Sequence, residues 1–205
     1  MSERKLRQNL YGAFKNRALM YYHIFDELRK QVGGKKAEAI MKKAIHKRGL
    51  IVGKQLAKYA PNDFRGLAKT FIGWDPDEGK MFKAEVLRCD NEALDLKFHG
   101  CPLRDAWQEA GLSDKETARI CSIAAAVDIG TFEGAGFDFF AETWKLTPIS
   151  PQSTAKHADL GAPIIALEKL LERNGRGGRF CLLWHGSLLI AEFPSTVGLW
   201  PAPRA

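Results

Sequence analysis

The hydrophobic period of the chain first changes at the segment Gly73–Gly79, and this change constrains the fold more than any other feature. Before it, apolar residues recur every three or four positions, as in amphipathic helices. After it, they alternate along two short runs, as in a β-hairpin. The sequence therefore predicts an α+β fold (mixed α/β), in which N-terminal helices pack with a mainly antiparallel sheet of hairpins and additional helices.

The boundaries of these segments follow from the periods and from the residues that interrupt them. Glycine-rich segments such as Gly130–Gly136 are interpreted as loops or turns. Helices are expected over residues 7–31, 36–59, 64–72, 102–110, from 114 onward and over 163–173. Strands are expected over residues 82–89 and 93–98 as one hairpin, over 137–146, and over 179–184 and 187–193 as a second hairpin.

The whole chain, residues 1–205, is predicted to form a single domain, with a helical part over 1–73 and a mixed part carrying the site over 80–193. A chain of this length with 45% apolar residues can bury a substantial core. It contains no apolar run that would span a bilayer and no secretory signal, and its four cysteines are not closely paired. We therefore expect reduced thiols, a cytoplasmic location and no membrane partner.

The formal charge of +7 is concentrated near the N-terminus, where residues 1–60 hold fifteen Lys or Arg and four Asp or Glu. These basic residues recur at helical spacing among apolar ones, so we interpret them as the solvated faces of helices. Nucleic acid is not the expected partner, although association through residues 1–60 is retained as a third hypothesis. A small-molecule substrate is expected, and a homo-oligomer is compatible with the sequence.

Residues suited to chemistry are concentrated between His99 and Asp128. A predicted strand leads into His99, Gly100 and Cys101, and Pro102 then suits the first position of a helix, which places Cys101 at the N-cap. The helix macrodipole and the free backbone N–H groups favour a thiolate there, so we expect a lowered pKa for Cys101.

A second helix start follows at Ser113 and Glu116, which form a capping box. On this helix Cys121 and Asp128 lie on one face, with the small residues Ala124 and Ala125 between them. The sequence predicts one pocket shared by Cys101, Cys121 and Asp128. The alternative is that Cys121 is an ordinary core residue and Asp128 a hydrogen-bonding group at a helix end.

With this order of motifs, the chain resembles the L-2-amino-thiazoline-4-carboxylic acid hydrolase family over about residues 20–146. The likeness implies a hydrolase that opens a C–N bond of a thiazoline or another cyclic amidine-like compound. The chain resembles a divergent member, since Phe137–Phe140 lacks the further cysteine that many relatives carry. The similarity rests on an Ala-rich second helix with Arg48-Gly49, on Cys101-Pro102-Leu103, Gly111-Leu112-Ser113 and Ile120-Cys121, and on Asp128.

The resemblance also suggests roles for the candidate residues. Cys101 would be the nucleophile and His99 a general acid and base. Asp128 would bind the amidinium or orient water, Cys121 would support the site or replace Cys101 as nucleophile, and Arg104 would bind a substrate carboxylate. No cofactor is expected under this hypothesis.

Two alternatives use the same residues. In one, His99, Cys101, Cys121 and Asp128 hold Zn²⁺, and a metal-bound water is the nucleophile. In the other, the chain is a non-catalytic small-molecule-binding or sensor module, whose cysteines hold a structural zinc. The sequence leaves these alternatives open.

Overall fold

The computed structural model describes residues 2–144, 179–184 and 191–192. The helical elements in these ranges are α1 (Glu3–Val32), α2 (Gly34–Gly53), a 3₁₀ turn (Ala57–Tyr59), α3 (Phe64–Gly73), α4 (Pro102–Glu109), α5 (Asp114–Ala124) and α6 (Ala126–Ala135). The strands are β1 (Ala84–Cys89), β2 (Ala93–Phe98), β3 (Phe139–Glu142), β4 (Arg179–Trp184) and β5 (Ala191–Glu192). In this part of the chain, no helix is both long enough and apolar enough to cross a bilayer.

Local interactions set most of the helix ends. Ser2 caps α1 by accepting the backbone N–H of Lys5, and α1 ends at Gly33, whose φ of 81° suits glycine. The predicted capping box is present at the start of α5, with Ser113 and Glu116 satisfying each other's backbone N–H groups. The predicted second helix is shorter than expected, because α2 ends at Gly53 and a 3₁₀ turn follows.

The segment Gly130–Gly136, which we expected to be a loop, is mostly helical and belongs to α6. The predicted long helix is divided at Ala125 into α5 and α6. Tertiary packing explains why a glycine-rich segment is helical here: α6 lies directly against α2, and glycines face each other at the contact. A Cβ at Gly49 would lie 2.7 Å from the Thr131 nitrogen, and a Cβ at Gly134 would lie 2.6 Å from the Leu50 carbonyl oxygen.

The strands form one sheet in the order β1-β2-β4-β3, with β5 paired to β4. The predicted first hairpin is present as β1 and β2, which pair antiparallel with Ala84 opposite Phe98. β4 lies between β2 and β3 and runs parallel to both, and β5 pairs with β4 antiparallel. The α+β class is confirmed, but the sheet is mixed rather than mainly antiparallel. Alternation along a single strand cannot show which distant strand will pair with it.

Two clusters of buried side chains form the core, and α6 contributes to both. One cluster joins the sheet to α3 and α6; it includes Phe64, Leu94 and Phe132. The other joins α1, α2, α4 and α5, and it includes Trp107 and also Ala126 of α6. The two clusters therefore meet along α6. The predicted helix over 163–173 lies outside the described residues.

The glycine contact between α2 and α6 predicts a large effect of a single methyl group. Gly53→Ala should lower the free energy of unfolding by more than about 2 kcal/mol, because the added Cβ meets backbone atoms that cannot move independently. A Cβ at this position would lie 2.9 Å from the Ala135 nitrogen. Chemical denaturation measures the change.

The matched control is Gly12→Ala, on the exposed face of α1, where a Cβ would meet nothing within 4 Å. It should leave stability unchanged or raise it by roughly 0.5–1 kcal/mol, because alanine is the better helix former. Equal stability of the two variants would contradict close backbone packing at Gly53.

Candidate active site

A cavity of about 310 Å³ lies among α1, α4, α5, α6 and the segment that follows α3. This volume suits a small organic molecule. Most of its wall is apolar and aromatic, with Phe14, Phe71, Phe82, Phe98 and Trp107 among the lining residues. Its few polar groups are therefore the ones that would orient a ligand; they include Arg17, Asp75, Cys101, Arg104, Cys121 and Asp128.

Cys101 occupies the N-cap of α4, as the sequence predicted, and its Sγ accepts the Arg104 backbone N–H at 3.3 Å. The expectation of a lowered pKa is wrong. The side chain is only 7% exposed, and burial raises the pKa of the thiol to about 11. Loss of hydration thus outweighs the two backbone N–H groups of Leu103 and Arg104, which act in the opposite direction. At neutral pH the Cys101 thiol is therefore protonated.

Cys121 lies near the C-terminal end of α5 and lines the same cavity. Burial raises its pKa strongly, and the neighbouring Cys101 raises it further. Ala124 and Ala125 are also lining residues, so the small side chains after Cys121 leave open volume in front of it. The predicted convergence of Cys101, Cys121 and Asp128 on one pocket is found, while their catalytic roles stay predictions.

Asp128 stands in the first turn of α6 and is half-buried beside the cavity. Loss of hydration raises the pKa of its carboxyl group to about 7, and the positive charge of Arg17 opposes this shift. Among the described residues, no side chain or backbone N–H donates a hydrogen bond to the Asp128 carboxylate. The carboxyl group is therefore close to half ionised at neutral pH and available to a ligand.

Two other predicted site residues are engaged elsewhere. His99 is not among the described residues that line the cavity; its Nε2 lies 2.6 Å from a carboxylate oxygen of Glu85 on β1. Arg104 does line the cavity, but its guanidinium donates to the carboxylate of Asp105 at 2.6 and 3.0 Å. The general acid and base role of His99 stays a prediction.

Sequence reasoning missed two charged residues at the cavity. Asp75 lies in Gly73–Gly79, which the sequence marked only as the segment where the hydrophobic period changes. Its carboxylate accepts the backbone N–H groups of Phe82 and Lys83, each at 3.0 Å. These bonds hold the segment against the start of the sheet. Arg17 reaches the cavity from α1. No local pattern distinguishes Arg17 from the other basic residues of the first 60, because its position at the cavity depends on which face of α1 meets α4 and α5.

The zinc hypothesis required four side chains to converge. In the ranges that the structure describes, no three or more His, Cys, Asp and Glu side chains are placed to hold a metal ion. The position of His99 beside Glu85 is the main departure from the predicted zinc set. The described site is thus a pair of thiols and a carboxylate in an apolar cavity.

The raised pKa of Cys101 predicts slow alkylation near neutral pH. The rate of reaction with iodoacetamide should rise about tenfold per pH unit up to pH 10, since the thiolate is the nucleophile and its fraction grows below a pKa of about 11. Mass spectrometry of peptides gives the rate for each cysteine. If the alkylation rate of Cys101 levelled off below pH 8, the raised pKa would be contradicted. The hydrogen bond from the Arg104 backbone N–H would then outweigh the loss of hydration.

The buried carboxyl group of Asp128 predicts a pH-dependent loss of stability. Its pKa is about 7 in the folded chain and 3.8 in the reference state, so the folded chain binds more protons between these values and loses stability as the pH rises. Asp128→Asn should remove this loss, and its stability relative to wild type should increase by about 3 kcal/mol between pH 4.5 and 8. Urea denaturation at both pH values measures the difference.

The control for this experiment is Asp114→Asn, which changes an exposed carboxylate in the first turn of α5. Its stability difference from wild type should be the same at both pH values. A flat profile for Asp128→Asn as well would mean that the Asp128 carboxylate is solvated in the folded chain.

The sequence matches a known protein family over most of the residues that line the cavity. The profile of the L-2-amino-thiazoline-4-carboxylic acid hydrolase family matches residues 13–142, which include Arg17, Cys101, Cys121 and Asp128. Neither a curated protein nor a solved structure matches the chain. The family match covers well over half of the chain and extends over all six described helices except the first turns of α1. The chain belongs to the L-2-amino-thiazoline-4-carboxylic acid hydrolase family.

Proposed function

We propose that the protein hydrolyses a C–N bond of a small cyclic amidine-like compound, with Cys101 as the nucleophile. The observation that carries this proposal is the convergence of Cys101, Cys121 and Asp128 on one cavity of about 310 Å³ in a chain of this family. The family name speaks for a hydrolase of a thiazoline carboxylate. The cavity adds a thiol and a carboxylate in largely apolar surroundings.

A neutral thiol must be activated before it can attack. The amidinium group of a bound substrate brings a positive charge beside Cys101, and this charge favours the thiolate by more than it would in water, because the apolar wall screens it weakly. Asp128 is the available proton acceptor, since its pKa of about 7 leaves a substantial ionised fraction at neutral pH. The substrate thus supplies the positive charge that favours the Cys101 thiolate.

The proposed reaction has two stages. In the first, sulfur adds to the amidinium carbon, the thiol proton passes to Asp128, and the C=N electron pair moves to nitrogen. The C–N bond then breaks, and the departing nitrogen takes the proton from Asp128. In the second, water adds to the carbon bound to the Cys101 sulfur and gives one proton to Asp128. The bond between this carbon and the Cys101 sulfur then breaks as a carbonyl forms, the sulfur takes the proton from Asp128, and the remaining hydroxyl proton goes to the released amine.

The test is hydrolysis of 2-amino-thiazoline-4-carboxylate, followed by mass spectrometry of the ring-opened product. Cys101→Ala should lower kcat by about 10³-fold or more, because no other group would then form the covalent intermediate. Cys89→Ala is the matched control and should keep activity within about twofold, since Cys89 ends β1 and does not line the cavity. Intact-mass analysis should show substrate-derived mass on wild type and none on Cys101→Ala.

Other outcomes distinguish the alternatives. Loss of the adduct in Cys121→Ala, with retention in Cys101→Ala, would move the nucleophile to Cys121. Full activity of both cysteine variants, with loss in Asp128→Asn, would mean that Asp128 activates water directly. Binding of the amidine without turnover by wild type would identify the non-catalytic binding module and reject the hydrolase.

A further inference from the structure

The flat face of the Arg17 guanidinium packs on an aromatic ring at the cavity wall. It lies over the ring of Phe14, 4.5 Å from the ring centroid. Phe14 in turn meets Phe82 edge to face at 5.8 Å, and both rings line the cavity. The backbone beside it is fixed as well, because the Trp107 indole N–H donates to the Ala18 carbonyl at 2.7 Å. Arg17 is exposed, and its stacking on Phe14 favours one placement of the guanidinium at the cavity wall.

The N–H edges of this guanidinium are free of protein carboxylates in the described ranges. Stacking occupies only the face of the group, so its in-plane donors stay available for a planar anion. Arg104, the other arginine at the cavity, is already paired with Asp105. Asp128 attracts Arg17 electrostatically, yet no ion pair joins the two in the described part of the chain.

The cavity carboxylates Asp75 and Asp128 also differ in whether protein groups already donate hydrogen bonds to them. Both oxygens of Asp75 are occupied by the backbone N–H groups of Phe82 and Lys83. Asp128 receives no hydrogen bond from the described residues. Among the charged groups that the structure places around the cavity, one cation on α1 and one anion on α6 are thus left for a ligand. A ligand with an anionic and a cationic group would satisfy both.

We infer that Arg17 binds the carboxylate of the proposed substrate, while the amidinium of the substrate lies at Asp128. This inference rests on the proposed function and adds to it the residue that selects the substrate. It assigns to Arg17 the role that the sequence suggested for Arg104. Arg17 is a binding residue in this assignment and takes no part in the proton transfers.

The test compares two compounds that differ only in the carboxylate, 2-amino-thiazoline-4-carboxylate and 2-amino-thiazoline. Arg17→Gln should raise KM for the first compound by about 10- to 100-fold, as expected for loss of a charged bidentate contact. For the second compound kcat/KM should change by less than about twofold. Arg17→Lys should give an intermediate KM, because lysine keeps the charge but loses the fork of donors.

Arg4→Gln is the matched control, since it removes the same charge from the same helix and does not line the cavity. It should leave both compounds unaffected. Equal losses for both compounds in Arg17→Gln, or a carboxylate-selective loss in Arg104→Gln with none in Arg17→Gln, would overturn the inference.

Calorimetric binding separates this inference from the proposed reaction. If wild type does not turn over either compound, the hydrolase proposal fails, and the dissociation constants still decide the role of Arg17. Wild type should bind the carboxylate compound at least about tenfold more tightly than Arg17→Gln does, with no such difference for the other compound. The absence of that selective difference would reject carboxylate binding by Arg17.

Discussion

The close contact between α2 and α6 is the constraint on which the site depends. Gly49 and Gly53 let the backbone of α6 approach, and Gly130 and Gly134 do the same for α2. α6 carries Asp128 into the cavity and also joins the two parts of the core. A side chain at any of these glycines would move α6 outward, because backbone atoms already occupy the space. The packing of α2 against α6 therefore also sets the position of Asp128. Among the described helices, Asp128 is the one carboxylate that lines the cavity and accepts no hydrogen bond.

The apolar wall of the cavity determines the charge state of the site. Helix-end effects stabilise a charge by typically 0.3–1 kcal/mol at exposed sites, whereas loss of hydration can shift a pKa by several units. The same burial raises the pKa of Cys101 to about 11 and that of Asp128 to about 7. An apolar cavity of this kind disfavours an isolated charge. It strengthens the attraction between a protein charge and an opposite charge on a bound ligand. Binding of the cationic substrate would then both recognise it and activate the Cys101 thiol.

Features that depend on neighbours along the chain were predicted correctly. These include the first hairpin, Cys101 at the helix start and the capping box at Ser113. Predictions failed where distant segments meet. The glycines of α6 look like loop residues until α2 is placed against them, and β4 pairs in parallel with strands far from it in sequence. The surroundings of His99 also depend on another segment, because its imidazole lies in hydrogen-bond contact with Glu85 of the adjacent strand β1.

The sequence by itself determined which residues could do chemistry and on which local elements they stand. It placed Cys101 at an N-cap and Cys121 near Asp128 on helical segments, because caps and helical spacing involve only a few consecutive residues. Only the tertiary structure decided which of these groups share a cavity, that Arg17 joins them, and that burial reverses the expected pKa of Cys101. Hydration and long-range charge are properties of the packed surroundings, and those surroundings come from helices and strands that are remote in sequence.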